Sequence, residues 1–161
     1  MSQLSAQIAG PLHDMGRLKL NSPVSALSAL SEMADTIVVA TAAPEAARLT
    51  GSGVPTEARG VTTLYFAGPE PLWQERKILL NANARPFVSH AALMTNVAPD
   101  YAPEGQHLLS ASVLGVPELS DDALYEAVRT DLNRMLTGSA QARQLLRHYR
   151  PLAIYRIPYA Q

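Results

Sequence analysis

The stretch VTTLYFAG, residues 61–68, decides the fold, because it begins a series of strand candidates that fills the middle of the chain. Three more candidates follow, and proline, glycine or asparagine separates each from the next, as is typical of β-strands and their turns. They are RKILLNA (76–82), PFVSHAALMTNVAP (86–99) and HLLSASVLG (107–115). The turn-rich stretch 98–106 predicts a tight connection between neighbouring antiparallel strands.

The clearest helix follows these strands, in LSDDALYEAVRTDLNRMLTG (119–138). Ser120 can cap its first turn, and the two aspartates after Ser120 suit the positive end of the helix dipole. An apolar stripe at helical spacing is expected to be buried, and it comprises Leu124, Val128, Leu132 and Met135. A second helix in residues 139–150 and a last strand in residues 151–160 follow. We therefore predict an α+β fold with a largely antiparallel sheet flanked by helices.

Residues 1–50 show a different pattern, which predicts a helix, two strands and a helical turn. Apolar residues spaced by four indicate the helix near the N-terminus, and alternation in residues 17–27 indicates the first strand. The second strand is TIVVAT (36–41), whose continuous apolar centre is typical of a strand covered on both faces. Pro44 opens the helical turn. The glycines and prolines of residues 51–60 predict a linker before a second domain of residues 61–161.

Composition excludes several classes of function. The chain has 161 residues and a net charge of −1, which gives no electrostatic case for binding nucleic acid or an anionic membrane. The absence of cysteine excludes disulfides and thiolate chemistry. No apolar run approaches the roughly 20 residues of a membrane-spanning helix, and the N-terminus lacks the pattern of a signal peptide. We therefore expect a cytoplasmic protein without a membrane span.

The motifs do not assemble into a complete catalytic or metal site. The four histidines are scattered and lack the spacing of metal ligands, so no metal is predicted. Ser89 and His90 are neighbours in a predicted strand and should point to opposite faces, which argues against a nucleophile–base pair. In GSGVP (51–55) the third glycine of a dinucleotide fingerprint is missing, because Thr56 stands in its place.

Several longer runs carry a family resemblance. MSQLSAQIAGPLHDMGRLKLNSPVSAL (1–27), followed by ADTIVVATAAPEAARL (34–49), resembles FAD-dependent oxidoreductases of the amine oxidase, protoporphyrinogen oxidase and phytoene desaturase superfamily. The strands after residue 61 look like the substrate domain of that superfamily, whose familiar run S-x-v-a-p-x-y-A-P-x-G-x-x-L is matched by residues 95–108 at Ala102, Pro103 and Gly105. The family's N-terminal GxGxxG segment and its C-terminal GD segment have no counterpart in the 161 residues. The chain therefore looks like the middle of a longer flavoprotein.

The resemblance implies FAD in the complete protein and a role for the backbone of Val24 in contacting the adenine. It also implies that Thr41 and Ala42 lie near the cofactor layer. Candidates for the substrate pocket come from the predicted strands, and they are Tyr65, Phe66, Leu93, Met94 and Tyr155. Because the pyrophosphate-gripping segment has no counterpart here, we expect the isolated chain to be inactive and not to hold FAD tightly.

Two functions follow from these expectations. The first is a segment of an FAD-dependent oxidoreductase that shapes the substrate pocket over the flavin. The alternative is a stand-alone interaction or small-ligand module that has kept the fold without the cofactor. Charged residues make up only 17% of the chain, which hints that another protein segment covers part of its surface. The expected partner is the missing FAD-binding segments or a second copy of the chain, in a homo-oligomer formed through residues 18–45.

Overall fold

The computed structural model describes residues 2–161, with side chains for residues 3–161. The chain forms two compact units, of which the first ends at Thr56 and the second comprises Glu57–Gln161. The division between them lies inside the stretch 51–60, where glycine and proline indicate a linker. Within the described residues, no helix is both long enough and apolar enough to cross a membrane.

The first unit contains two α-helices, α1 (Ser2–Asp14) and α2 (Ala43–Thr50), and a 3₁₀ turn over Leu27–Leu30. Pro44 lies in the first turn of α2, where its fixed φ suits a helix start and its missing N–H costs nothing. Gly51 ends α2 in the left-handed region, with a φ of 63°, which a residue with a Cβ adopts only under strain. Both helices therefore lie where the sequence predicts them. The spacing of apolar residues indicates α1, and Pro44 indicates the start of α2.

The two strands predicted for residues 1–50 are absent from the described part of this unit, so that prediction is wrong. Residues 36–40 have no regular secondary structure, and Val38 is 84% exposed, while Ile37 and Val39 are half-buried. A strand requires a neighbour with which its N–H and C=O groups can pair. Residues 2–56 supply no such neighbour, so the apolar run TIVVAT alone does not produce a strand.

The second unit is built on a five-stranded sheet in which every neighbouring pair is antiparallel. Its strands are β1 (Val61–Gly68), β2 (Ile78–Leu80), β3 (His90–Leu93), β4 (His107–Leu114) and β5 (Arg150–Ile157). They are arranged in the order β2-β3-β4-β1-β5, which places β1 between two strands that follow it in the chain. The predicted α+β fold with an antiparallel sheet is confirmed.

Three α-helices belong to the second unit: α3 (Met94–Val97), α4 (Asp121–Met135) and α5 (Ala140–Leu146). The Ser120 hydroxyl accepts a hydrogen bond from the Ala123 N–H at 3.4 Å, as expected of the residue before the first turn of α4. The candidate strand of residues 86–99 is shorter than predicted, because only His90–Leu93 pairs and the chain then turns into α3. A 3₁₀ turn over Pro99–Tyr101 leads on to β4.

The core lies between one face of the sheet and helices α4 and α5. Alternate residues of β1 are buried along its whole length, as a strand with one covered face requires. The predicted stripe of α4 packs there: Leu124 and Val128 are fully buried, Leu132 is 1% exposed, and the rings of Phe66 and Tyr125 meet edge to face at 5.3 Å. This contact between a strand and a helix confirms that α4 lies on the sheet.

Candidate substrate-facing surface of the sheet

The sheet face opposite α4 and α5 carries two rows of residues in register across all five strands. Strand pairing aligns Leu80, His90, Ser112, Thr63 and Tyr155 in the first row. The same pairing aligns Ile78, Ala92, Ser110, Tyr65 and Ala153 in the second. We call these ten residues the tyrosine face. They share a face because directly paired residues point to the same side of a sheet, and the two rows are two residues apart along each strand.

Two aromatic rings mark one end of the tyrosine face. The rings of Tyr65 and Tyr155 meet edge to face, with their centroids 5.8 Å apart and their planes at 84°. The two residues lie in different rows of adjacent strands, which is the diagonal spacing at which long side chains of a sheet come into contact. Tyr155 remains 57% exposed. The pair therefore presents aromatic surface that the sheet itself does not bury.

The exposure of the tyrosine face increases toward its edges. Ser112 in the centre is only 8% exposed, whereas Ile78 and Leu80 on the edge strand β2 are 62% and 73% exposed. Between these edges lie hydroxyl groups and the half-buried His90. The face therefore combines apolar and aromatic ends with hydroxyl groups and an imidazole between them.

Ser89 and His90 are closer than the alternation of a strand predicts. Ser89 directly precedes β3, and its backbone is held on both sides, because its N–H donates to the Ser112 C=O and its C=O accepts from the Asn81 N–H. Its Oγ lies 3.4 Å from Nδ1 of His90, a long contact at the limit of a hydrogen bond. The prediction that the two side chains point apart is therefore wrong, although the contact is too long to identify a nucleophile–base pair.

The other residues named for the substrate pocket occupy different environments. Phe66 and Leu93 are 1% and 2% exposed and belong to the core beneath the helices, so the tyrosine face does not include them. Met94 is half-buried at the first position of α3, directly after β3. Of the five candidates, only Tyr65 and Tyr155 are brought together. Strand alternation puts Tyr65 and Phe66 on opposite faces, but the sequence alone does not say which of the two faces the helices cover.

The residues named for the cofactor lie in the first unit, and Val24 has a specific environment there. Its C=O accepts a hydrogen bond from Nη2 of Arg48 at 2.9 Å, and Nη1 of Arg48 donates to the Ser25 C=O at 2.8 Å. Glu45 holds the same guanidinium through Nε at 2.8 Å, and this hydrogen bond keeps the pKa of Glu45 below its ordinary value. Arg48 thereby fixes the backbone at residues 24–25.

The surroundings of Val24 fit a partial contact with an adenine. Within residues 2–161 the Val24 N–H donates to no acceptor, whereas its C=O is already engaged by Arg48. Thr41 and Ala42 are exposed beside α2, and the Thr41 hydroxyl turns back to the Ala42 C=O at 3.4 Å. One free backbone donor fits a cofactor nitrogen acceptor. The sequence shows no glycine-rich loop that could cradle a pyrophosphate.

Asp131 is a buried residue that the sequence patterns did not single out. Its carboxylate is 2% exposed, and Oδ2 accepts three hydrogen bonds of 2.8 Å, from the N–H groups of Phe87 and Val88 and from Nδ2 of Asn81. Asp131 follows Val128 by three residues in α4, so it continues the buried stripe. It fastens the segment that leads into β3, and hence one end of the tyrosine face, to α4.

Three comparisons relate this chain to known proteins. The model of the family of flavin-containing amine oxidoreductases matches residues 1–161. An oxidoreductase from Methanosarcina mazei aligns with a TM-score of 0.51 and 20% identity, over 71% of this chain and 29% of that chain. Reduced UDP-galactopyranose mutase aligns with a TM-score of 0.44 and 15% identity, over 65% and 22% of the two chains. None of the curated proteins matches the chain.

The matches differ in the share of each chain that they cover and in sequence identity, and these two quantities limit the conclusion that each match supports. The chain spans 29% of the length of the Methanosarcina mazei oxidoreductase, and at 20% identity that likeness shows the fold alone. The family model, by contrast, covers both units and includes the residues around Val24 as well as the tyrosine face. The chain therefore belongs to the family of flavin-containing amine oxidoreductases.

Proposed function

We propose that this chain is the substrate-side segment of an FAD-dependent oxidoreductase and that the tyrosine face forms one wall of the substrate pocket. The observation that carries the proposal is the pair Tyr65–Tyr155, placed on the sheet face that α4 and α5 leave free. The family match supplies the cofactor class. When bound in the complete protein, FAD would accept the two electrons taken from the substrate.

The contribution of this chain would be to bind, to orient and to exclude water. Tyr65 and Tyr155 offer flat aromatic surface, and Ile78 and Leu80 offer apolar surface at the opposite end. The half-buried His90 between them offers a hydrogen-bonding group for a polar part of the substrate. This distribution supports a bulky and largely apolar substrate, because a small polar one would leave the exposed side chains uncovered.

The proposal extends to the partner and the compartment. In the first unit, Leu20, Met33 and Val38 are 69%, 68% and 84% exposed. We propose that the FAD-binding segments of the complete protein cover these side chains, with a second copy of the chain as the other candidate partner. We also propose a cytoplasmic location for the complete protein.

The test requires this chain together with FAD-binding segments, either in the complete flavoprotein or by co-expression. Tyr65→Ala and Tyr155→Ala should lower kcat/KM for flavin reduction by roughly threefold to tenfold, as expected for the loss of one aromatic contact. The FAD content per chain should stay unchanged, because neither residue lies in the first unit. Anaerobic flavin bleaching measures the rate, and absorbance of the released flavin measures the content.

Tyr159→Ala provides the matched control, since Tyr159 is also exposed, at 55%, and lies after β5 outside the tyrosine face. Equal losses in all three variants would contradict the proposal. A stand-alone module is the alternative function, and it predicts that the chain neither associates with FAD-binding segments nor supports flavin reduction. Full burial of residues 37–39 would favour that alternative, and the 84% exposure of Val38 does not.

A further inference from the structure

A cavity lined by arginines lies between α4 and α5, away from the tyrosine face. Its volume is about 220 Å³, and its lining comprises Arg129, Thr130, Asn133, Arg143, Leu146 and Arg147. We call it the arginine cavity. Three of the six residues are permanently cationic, and two of the others carry a hydroxyl or an amide that can donate hydrogen bonds.

The two helices place these side chains by their spacing. Arg129 and Asn133 are four residues apart in α4, and Arg143 and Arg147 are four residues apart across the last turn of α5. Residues at this spacing lie on the same side of a helix, so each helix presents a pair toward the cavity. The two cations of α5 repel each other at this distance, which an anion between them would relieve.

Two hydrogen-bond donors in the lining are buried without a partner. The Nε atoms of Arg129 and Arg143 are inaccessible to solvent and meet no acceptor in the part of the chain that the structure describes. The closest carboxylate oxygen to Arg129 is Oε1 of Glu126, 3.8 Å from Nε, which is longer than a hydrogen bond. A buried cationic donor without an acceptor is destabilising, and such groups are normally paired.

The sequence around the cavity contains few competing acids. Asp131 is the last acidic residue of the chain, and five arginines follow it. The Oδ2 atom of Asp131 already accepts hydrogen bonds from Phe87, Val88 and Asn81. Although the whole chain has a net charge of −1, residues 132–161 carry only positive formal charges. An anion at the arginine cavity would therefore meet a locally positive field.

We propose that the arginine cavity binds a phosphate group. A phosphate dianion offers several oxygens to several guanidinium groups, whereas a carboxylate is satisfied by one arginine fork. A second cavity of about 560 Å³ shares Arg147 and is also lined by Gln106, His148 and Arg150. This neighbouring space suits the organic part of a phosphate ester, so the ligand class is inorganic phosphate or a small phosphorylated molecule.

Calorimetric titration of the whole 161-residue chain with inorganic phosphate tests the proposal, in a phosphate-free buffer with sodium chloride adjusted to constant ionic strength. We expect one saturable site per chain. Arg143→Gln should weaken binding by about tenfold, since it removes a charge-assisted hydrogen bond. Arg85→Gln makes the same charge change in an exposed loop outside the cavity, and its binding should match that of the parent chain.

Two further measurements keep the result decisive. Arg147→Gln alters an exposed residue of the lining, so it reports on the site even where Arg143→Gln fails to fold. Glycerol phosphate is titrated in parallel. It should bind more tightly than inorganic phosphate if the ligand is a phosphate ester, and equally tightly if the ligand is inorganic phosphate. Both results uphold the site. The absence of saturable heat, or equal weakening by Arg85→Gln and Arg147→Gln, overturns it.

Discussion

The ring of Tyr149 lies directly on the backbone of Gly68. A Cβ at position 68 would come within 2.6 Å of three ring atoms of Tyr149, which is closer than real Cβ contacts. Tyr149 is 1% exposed, and its hydroxyl donates a hydrogen bond of 2.7 Å to the Glu70 C=O. The end of β1 and the start of β5 are thus locked by one aromatic side chain, and the glycine leaves the space that the ring fills.

Gly68→Ala tests this contact. Because the ring is held on its other side by the core and at its hydroxyl by Glu70, it cannot retreat without breaking other contacts. We expect a loss of about 1–3 kcal/mol in the free energy of unfolding, the range for overpacked cores. Urea unfolding measures the loss. Gly138→Ala is the control, since a Cβ there meets nothing within 4 Å, and an equal loss in both variants would contradict the contact.

Tyr149 also predicts how stability depends on alkaline pH. Burial raises the pKa of its phenol above the ordinary value of 10.0. The unfolded chain therefore releases this proton at a lower pH than the folded chain does. The contribution of the neutral phenol to stability is complete below about pH 10 and is lost as the pH rises further.

Tyr149→Phe removes this dependence. We expect the variant to lose about 0.5–1.5 kcal/mol at neutral pH, because the hydrogen bond to Glu70 is gone. Its stability should then fall less steeply than that of the parent chain above about pH 10. Urea unfolding at a series of pH values measures both slopes. If the free energy of unfolding falls equally steeply with pH in the variant and in the parent chain, Tyr149 does not control stability at alkaline pH. Tyr159→Phe is the control, because Tyr159 is exposed.

Asp131→Ala should be severely destabilising. The substitution leaves the N–H groups of Phe87 and Val88 and the amide of Asn81 without their common acceptor. We expect a loss of about 3–5 kcal/mol, because three buried donors lose their acceptor and each one left unsatisfied costs about 1–3 kcal/mol. Asp131→Asn retains an acceptor oxygen and should lose less. Asp122→Ala, at an exposed position of the same helix, should cost under about 1 kcal/mol. Similar losses for residues 122 and 131 would contradict this role.

The exposed apolar residues of the first unit predict concentration-dependent association of the isolated chain. Val38 is the most exposed of them, whereas the neighbouring Val39 is half-buried, so Val38 is the position to test. Val38→Asp should lower the average mass that sedimentation velocity measures at high concentration, because it puts a charge at the contact. A parent chain that remains a monomer at all concentrations would contradict the prediction.

The second unit was largely predictable from its local patterns. The run VTTLYFAG coincides with β1, and the apolar stripe from Leu124 to Leu132 forms the buried side of α4. Both could be predicted because each depends only on the spacing of side chains within a single strand or helix. The first unit was less predictable, since TIVVAT has the composition of a strand but no pairing neighbour in residues 2–56. The composition of a segment shows that it can form a strand, but a strand forms only where a second segment lies beside it and pairs with it.

The candidate sites were predictable only in part, for a related reason. Tyr65 and Phe66 are adjacent, so alternation puts them on opposite faces, but which face the helices cover depends on tertiary packing rather than on residue type. The arginine cavity depends on how α4 approaches α5, which neither helix encodes alone. In the sequence Asp131 has the pattern of a solvated helix carboxylate, because its three donors lie between 43 and 50 residues earlier in the chain.

The strand order has a consequence for the way the second unit is made. β1 lies between β4 and β5, and both of these strands leave the ribosome after it. During synthesis β1 therefore has two unsatisfied edges, and the second of them is covered only when β5 has emerged. Non-local pairing of this kind slows folding and exposes nascent chains to misassociation. β5 therefore completes the pairing of β1, and until β5 has emerged one edge of β1 is open to mispairing.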